Sequence, residues 1–236
     1  MARLTADQLA TLQADFEDLH PRSILHWAMQ TFGNRLALVT SFQPTGIATA
    51  HMLSEIAPRT PIITLDTGLL FNETVQLIDE LESLLHLNVR RIKPAQTVKQ
   101  QSAEYGPDLW SSDPDRCCHM RKVLPLNDAL SGFDAWITGL RRDQSERRRQ
   151  TPIIDVDPRR PDMIKLAPFA TWDESMIWTY IHAYELPYND LHDRGYPSIG
   201  CWPCTRAVSD GEGTRDGRWS GRAKTECGIH IARSNT

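Results

Sequence analysis

The apolar residues near the start of the chain recur at the spacing of amphipathic helices. Thr5 and Gln8 predict a capping box at the beginning of a first helix. Its apolar stripe consists of Leu9, Leu12, Phe16 and Leu19. Pro21 predicts the start of a second helix, and Thr171 with Glu174 predicts a capping box ahead of a later one. We interpret the apolar stripes as packing surfaces.

Further along the chain, short apolar runs alternate with helical stretches. The runs predict strands at residues 36–40, 61–65, 88–92 and 135–138. Helices are predicted between them at residues 46–57, about 72–86 and around 117–130. Strands and helices that alternate with short connections predict an α/β fold, with a mostly parallel twisted sheet and helices on both faces.

Ligands of such sheets bind beyond the carboxyl ends of the strands, where small and polar residues follow the predicted strands here. The loop from Ser41 to Gly46 enters a helix N-terminus, which can bind phosphate through free backbone amides. Asp66 is suited equally to capping a turn and to binding a ribose hydroxyl. The arginine-rich stretch 141–149 predicts a solvated surface, because it lacks the aromatic residues that stack on RNA bases.

Residues 1–206 are predicted to form one compact α/β domain, because no repeat, low-complexity tract or linker interrupts them. Residues 207–236 are polar and rich in glycine. Such a segment buries little apolar surface, so we expect a mobile C-terminal tail. The tail carries Cys227, which on a mobile segment can approach a bound substrate and then meet a second protein.

Composition limits the functions that are open to the chain. It has 236 residues, of which 40% are hydrophobic and 24% charged, as in ordinary soluble domains. The net charge of −4 gives no global attraction to nucleic acid or to anionic membranes. No apolar run approaches the ~20 residues of a membrane span, and the first residues form no apolar signal core. With five cysteines and no such signal, we expect reduced thiols in the cytoplasm.

The five cysteines divide into two local pairs and one that stands alone. Cys117 and Cys118 are adjacent, whereas Cys201 and Cys204 have a C-x-x-C spacing in a loop rich in glycine and proline. Two converging pairs can supply the thiolates of a [4Fe–4S] cluster or of a structural zinc ion. Adjacent cysteines favour the cluster, because diverging side chains bind separate iron corners more easily than one small ion. Cys227 is then left for chemistry.

Several segments resemble the assimilatory adenylyl-sulfate reductases, a branch of the sulfonucleotide reductase family. They are residues 66–74, 117–126, 139–145, 198–206 and 226–230, the last of which reads Glu-Cys-Gly-Ile-His. The resemblance implies a Rossmann-like domain of the adenine-nucleotide alpha-hydrolase or ATP pyrophosphatase type. Family members with all five of these cysteines reduce adenylyl sulfate, whereas 3′-phosphoadenylyl-sulfate reductases generally lack the paired ones.

The resemblance also implies a reaction. The Cys227 thiolate would attack the sulfur of adenylyl sulfate, releasing AMP and leaving an S-sulfocysteine. A thioredoxin- or glutaredoxin-type dithiol would then release sulfite, since the chain has no sixth cysteine to resolve the intermediate. The implied ligands of a [4Fe–4S] cluster are Cys117, Cys118, Cys201 and Cys204.

By the same resemblance, the residues implied in substrate binding are Ser41, Gly46, Asp66, Lys122, Arg142, Arg215, Arg218 and His230. Ser41 and Gly46 lie where the family cradles phosphate. Lys122 would lie between the cluster and the substrate, and the arginines would bind the anionic groups, which suit bidentate guanidinium contacts. His230 is suited equally to orienting the thiolate and to being an ordinary tail residue.

Alternatives stay open at the level of sequence. The substrate can be 3′-phosphoadenylyl sulfate instead of adenylyl sulfate. An iron–sulfur enzyme of tRNA thiolation uses the same scaffold, but it needs a net basic surface and a Ser-Gly-Gly-x-Asp-Ser loop, which residues 41–46 lack. A zinc-binding module would leave Cys227 idle. The oligomeric state is not fixed by the sequence, so a homo-oligomer is compatible with it.

Overall fold

The computed structural model describes residues 4–230, which are built around a mostly parallel sheet. Within these residues the strands are β1 (Leu36–Val39), β2 (Pro61–Leu65), β3 (Asn88–Ile92), β4 (Ala135–Thr138), β5 (Ile154–Asp157) and β6 (Arg160–Leu166). Their order across the sheet is β3–β2–β1–β4–β6–β5. β5 runs antiparallel to β6, whereas the other neighbouring pairs are parallel.

Helices cover both faces of the sheet, as the alternating pattern predicts. In the described part of the chain they are α1 (Ala6–Phe16), α2 (Pro21–Phe32), α3 (Pro44–Ile56), α4 (Asn72–Leu84), α5 (Val98–Tyr105), α6 (Leu109–Ser112), α7 (Pro114–Cys118), α8 (Leu124–Leu130) and α9 (Glu174–Ala183). Leu36 and Leu38 of β1 point into a larger core with α2, α3, α4 and α9, while Ala37 points into a smaller core with α8. None of the helices in this range is long and apolar enough to cross a membrane.

The predicted strands are confirmed, and two further strands were not predicted. β2, β3 and β4 have the predicted bounds, whereas β1 ends at Val39 instead of residue 40. β5, at the edge of the sheet, and its neighbour β6 carry several charged residues, so their apolar pattern is weak. Asp157 of β5 is only 1% exposed, but its carboxylate accepts a hydrogen bond from the Trp136 indole (2.6 Å) and pairs with Arg160 (2.9 Å). These partners make a buried carboxylate tolerable inside a strand.

One of the two predicted capping boxes is confirmed. The Gln8 amide donates to the Thr5 hydroxyl at 3.2 Å, and the Thr5 amide donates to the Gln8 side chain at 2.9 Å. The capping box predicted from Thr171 and Glu174 is wrong. Asp173 caps α9 instead, because its Oδ1 accepts a hydrogen bond from the backbone amide of Met176, the third residue of the helix, at 2.8 Å.

Candidate active site

A cavity of about 280 Å³ opens at the carboxyl ends of β1, β2 and β4. Val39, Leu65 and Thr138, each the last residue of its strand, form part of its wall. Other walls come from the start of α3, from the loop after β4 and from residues between 197 and 230. A parallel sheet is expected to bind its ligand at this edge, so this cavity is the candidate site.

The loop between β1 and α3 brings Ser41 to the cavity, and the first turn of α3 brings Gly46. Phe42 has a left-handed backbone, with a φ of 53°, and is fully buried, so the chain turns sharply before α3 begins. A Cβ atom at Gly46 would lie 2.0 Å from the Thr40 hydroxyl oxygen, so the close approach of the two segments requires glycine. The first turn of α3 therefore lines the cavity, where its backbone amides can bind an anion.

Positive charge is concentrated on the cavity walls. Among the residues described, the cationic side chains that line the cavity are Lys122, Arg141, Arg148, Arg215 and Arg218. Arg141 is buried and fixed, because its guanidinium donates to the Thr45 hydroxyl at 2.6 Å and pairs with Asp143 at 2.9 Å. These five cations outnumber the carboxylates on the described cavity wall, which are Asp143, Glu174 and Glu226, so the cavity favours a ligand with negative charge.

The structure does not bring Arg142 to the cavity. Its guanidinium forms two hydrogen bonds with the Glu17 carboxylate, at 2.8 and 2.6 Å, and a third with the Thr151 carbonyl at 3.0 Å. The backbone of Arg141 is extended, with a φ of −129°, and successive side chains of an extended chain point to opposite sides. Arg141, rather than the predicted Arg142, is thus the arginine of this pair that lines the cavity.

Asp66 also lies outside the cavity wall. Its Oδ1 accepts a hydrogen bond from the Gly68 amide at 3.0 Å, and Gly68 has a φ of 68°, which glycine adopts without strain. Its other oxygen lies 3.8 Å from the Lys93 amine. Asp66 thus caps a turn, and its binding to a ribose hydroxyl stays a prediction.

The tail packs over the cavity. Trp219 is only 4% exposed, and its backbone amide donates to the Cys204 carbonyl at 3.0 Å. The chain then continues along the cavity wall, where Cys227 and His230 contribute to the lining. The mobility predicted for residues 207–236 stays a prediction, and the last six of them lie outside the described residues.

A buried ion pair holds the tail next to Cys227. The Glu226 carboxylate accepts two hydrogen bonds from Arg148, at 2.8 and 2.7 Å, and lies 3.4 Å from Arg215. Burial alone would raise the pKa of Glu226, but the two guanidinium groups outweigh it and hold that pKa below its usual value. Sequence reasoning assigns no role to Arg148, which lies in a run of arginines typical of a solvated surface. In the sequence, Glu226 stands out only as the neighbour of Cys227.

His230 lies against the sheet. Its ring stacks on Trp136 of β4, with ring centroids 5.7 Å apart and an angle of 9° between the planes. Burial lowers the pKa of His230 well below its usual value, and the positive charges of Lys165 and Arg148 add to the shift, so the ring is neutral near pH 7. A role in orienting the Cys227 thiolate stays a prediction.

The paired cysteines line a second, smaller cavity. Cys117 and Cys118 end α7, and a π-helical turn, His119–Val123, follows them. The sulfur of Cys201 lies 3.3 Å from the Thr67 hydroxyl in the loop after β2, so this loop positions the C-x-x-C segment. The cysteines that share the cavity are Cys117, Cys118, Cys201 and Cys204.

Four thiols around a common space are a possible ligand set for a metal centre. No group of three or more His, Cys, Asp or Glu side chains within residues 4–230 is placed to hold one metal ion. A cubane takes each thiolate at a separate iron corner, so thiols around a common space suit it. Cys117 and Cys118 are 6% and 5% exposed, and burial raises the pKa of Cys118 to about 12. Buried thiols of this kind ionise when a metal replaces the proton.

Lys122 lines both cavities. Burial alone would lower the pKa of the Lys122 amine. The negative charges of the Cys201, Cys118 and Cys227 thiolates outweigh burial, so this pKa is raised and the amine stays charged. A positive charge therefore lies between the paired cysteines and Cys227.

The fold and the site together define an α/β protein with a cationic cavity at the carboxyl ends of its strands and a free thiol on the cavity wall. The chain belongs to the phosphoadenosine phosphosulfate reductase domain family, whose model matches residues 35–207. The family resemblance seen in the sequence is thereby confirmed.

Relatives match this chain over most of their length. A Salinibacter ruber protein named adenosine 5′-phosphosulfate reductase is 46% identical over 229 residues, which cover 97% of this chain and 90% of the relative. A Gloeobacter violaceus protein named phosphoadenosine 5′-phosphosulfate reductase is 46% identical over 225 residues, covering 94% and 93%. The crystal structure of phosphoadenylyl-sulfate reductase from Candida auris, a phosphate complex, matches with a TM-score of 0.78 at 30% identity, covering 88% of this chain and 99% of that one.

Proposed function

We propose that the protein reduces adenylyl sulfate to sulfite and AMP, with Cys227 as the nucleophile. The observation that carries this proposal is the position of Cys227 on the wall of a cavity that is also lined by Lys122, Arg215 and Arg218. A nucleophilic thiol beside several cations suits a substrate whose reacting group is a sulfate joined to a phosphate. The Salinibacter ruber relative, named for this activity, supports the choice of reaction.

In the first step, the Cys227 thiolate forms a bond to the sulfate sulfur. The bond between that sulfur and the bridging oxygen breaks, and its electron pair leaves with AMP. Negative charge then grows on the phosphate oxygens, where Lys122, Arg218 and the amides of the first turn of α3 can stabilise it. The products of this step are AMP and an S-sulfocysteine.

In the second step, a thiolate of an external dithiol of the thioredoxin or glutaredoxin type attacks the sulfur of Cys227. Sulfite leaves with the bonding electron pair, and a mixed disulfide forms. The second thiol of the partner resolves this disulfide, so two thiols are oxidised for each sulfite released. An external dithiol is needed because the other cysteines line the second cavity.

We further propose that Cys117, Cys118, Cys201 and Cys204 hold a [4Fe–4S] cluster. The shared cavity and the burial of the thiols support this ligand set. When bound, the cluster supplies a fixed electrostatic group beside Lys122 and a covalent link between α7 and the C-x-x-C loop. Both electrons of the reaction come from the dithiol, so the cluster would have a structural and electrostatic role.

Adenylyl sulfate should have a higher kcat/KM than 3′-phosphoadenylyl sulfate. A 3′-phosphate without its own cationic partner loses hydration in the cavity, which costs a few kcal/mol, on the order of a hundredfold in rate. Sulfite release from each nucleotide, with reduced thioredoxin present, measures the ratio. A preference for the 3′-phosphorylated substrate, for which the Gloeobacter violaceus relative is named, would reverse the substrate assignment and leave the reaction class intact.

Replacing Arg218 by Ala should weaken the binding of AMP about 10- to 100-fold, as the loss of a charged hydrogen bond does. The Arg218 guanidinium stacks on Trp219 at 4.6 Å, and its Nε is buried with no hydrogen-bond partner among the described residues. Arg142→Ala is the matched control, because Arg142 is held by Glu17 outside the cavity. Calorimetric titration with AMP compares the variants, and equal losses of affinity would contradict this assignment.

The division into a domain of residues 1–206 and a mobile tail of residues 207–236 belongs to this proposal. So does a cytoplasmic location, because the chemistry of Cys227 requires a compartment that keeps thiols reduced. Release of the tail in the second step is the functional reason for its mobility.

A further inference from the structure

Two ion pairs of the tail differ in burial. The side chains of Glu226 and Arg148 are 8% and 13% exposed, and they share two hydrogen bonds of 2.8 and 2.7 Å. Glu212 and Arg206 also share two hydrogen bonds, but their side chains are 30% and 45% exposed. Water competes less for a buried pair with aligned hydrogen bonds, so the Glu226 pair restrains the tail more strongly.

Arg148 connects Glu226 to the sheet. Its guanidinium donates to the Gln144 side chain at 2.5 Å, and Gln144 donates to the carbonyl of Gly139 at 3.4 Å. Gly139 directly follows β4, which lies inside the sheet. We call the contacts among Gln144, Arg148 and Glu226 the tether. Cys227 is the next residue along the chain, so the tether sets its position relative to the sheet.

We propose that Glu226 is a positioning residue: the tether holds Cys227 at the cavity wall for attack on the nucleotide and is released for reduction. The inference rests on the proposed function, in which one thiol meets a nucleotide and then the dithiol of another protein. A folded partner cannot enter a cavity of about 280 Å³, so the sulfonated cysteine has to move outward.

The chemistry of the first step favours this release. After the first step Cys227 carries an S-sulfonate in place of the thiolate, still with one negative charge but with three acceptor oxygens, beside Arg148 and Arg215, which both line the cavity. The S-sulfonate competes with the Glu226 carboxylate for the same guanidinium groups. On the other side of Cys227, the stacking of His230 on Trp136 involves a neutral ring, so it is not subject to this competition.

The test separates the two half-reactions in the full-length, cluster-loaded protein. In Glu226→Gln, formation of the S-sulfo adduct without reductant should slow about a hundredfold, because the thiol is misplaced by about an ångström. Release of sulfite from the preformed adduct by reduced thioredoxin should be as fast as in the wild type or faster. Glu212→Gln, the matched control, should leave both rates unchanged. Slowing of both half-reactions to the same extent would overturn the inference.

A second variant and a second readout make the result independent of turnover. Arg148→Gln should reproduce the effects of Glu226→Gln, and the double variant should be no worse than either single one. Alkylation of Cys227 by iodoacetamide without nucleotide, measured at a pH where the thiol is fully ionised, should be severalfold faster in both variants. Unchanged alkylation in both would overturn the tether. If alkylation differs but even the wild type forms no adduct, the proposed function fails and the tether stands.

Discussion

Replacing Cys227 by Ser should abolish sulfite production. A hydroxyl is a far weaker nucleophile than a thiolate, and no other cysteine lines the main cavity except Cys201, within the described residues. Removal of a covalent nucleophile costs on the order of a million-fold in kcat in other enzymes. We therefore expect the rate to fall to background, measured as sulfite released from adenylyl sulfate with reduced thioredoxin.

The same variant should keep its other properties. The proposed function assigns nucleotide affinity to the cations and the first turn of α3, and cluster content to the paired cysteines, so neither property should need Cys227. Titration with AMP and measurement of iron provide these controls. Sulfite production at the wild-type rate by Cys227→Ser would show that the nucleophile lies elsewhere.

Replacing Cys201 by Ser should remove the cluster and the activity together. Cys201 is 5% exposed and lies with Lys122 on the wall of both cavities, so its replacement should disturb the proposed metal ligands and the surroundings of Lys122. Wild-type protein purified without oxygen should be brown and contain about four irons and about four sulfides per chain. The variant should be colourless, with sulfite production at background, as measured by iron analysis and by the assay above.

Loss of the cluster and loss of the nucleophile should be distinguishable in these variants. Cys227→Ser should remain brown, which separates loss of the nucleophile from loss of the cluster. Zinc analysis of the wild type distinguishes the alternative metal. A colourless, active wild-type protein with stoichiometric zinc would contradict the ligand assignment, and so would a Cys201→Ser variant that keeps its iron.

The strands could be predicted where they are buried inside the sheet, because burial requires apolar residues. β1, β2 and β4 are short apolar runs inside the sheet, so their pattern depends on local residues. β5 and β6 could not be found in this way. Asp157 is buried because Trp136 and Arg160 supply hydrogen bonds, and those partners come from the fold, not from a period in the sequence.

The cysteines of the candidate site could be predicted, because their chemistry and spacing are visible in the sequence. Two pairs of cysteines and a lone cysteine suggest two different roles by their spacing alone. The choice between Arg141 and Arg142 depends on an extended backbone at one residue, which the sequence does not reveal. The contact of Arg148 with Glu226 joins residues 78 positions apart, so only the folded chain shows that the carboxylate selects one arginine from a run of several.

If Cys227 itself takes the sulfonate from the nucleotide, intact-protein mass spectrometry should detect the group on the protein before any reductant is present. Cluster-loaded wild-type protein mixed with adenylyl sulfate, without any reductant, should gain the mass of a single SO₃ group and release an equal amount of AMP. Peptide mapping should locate the group on Cys227, and reduced thioredoxin should remove it as sulfite. An adduct on another cysteine, or release of AMP that begins only after thioredoxin is added, would show that Cys227 is not the nucleophile.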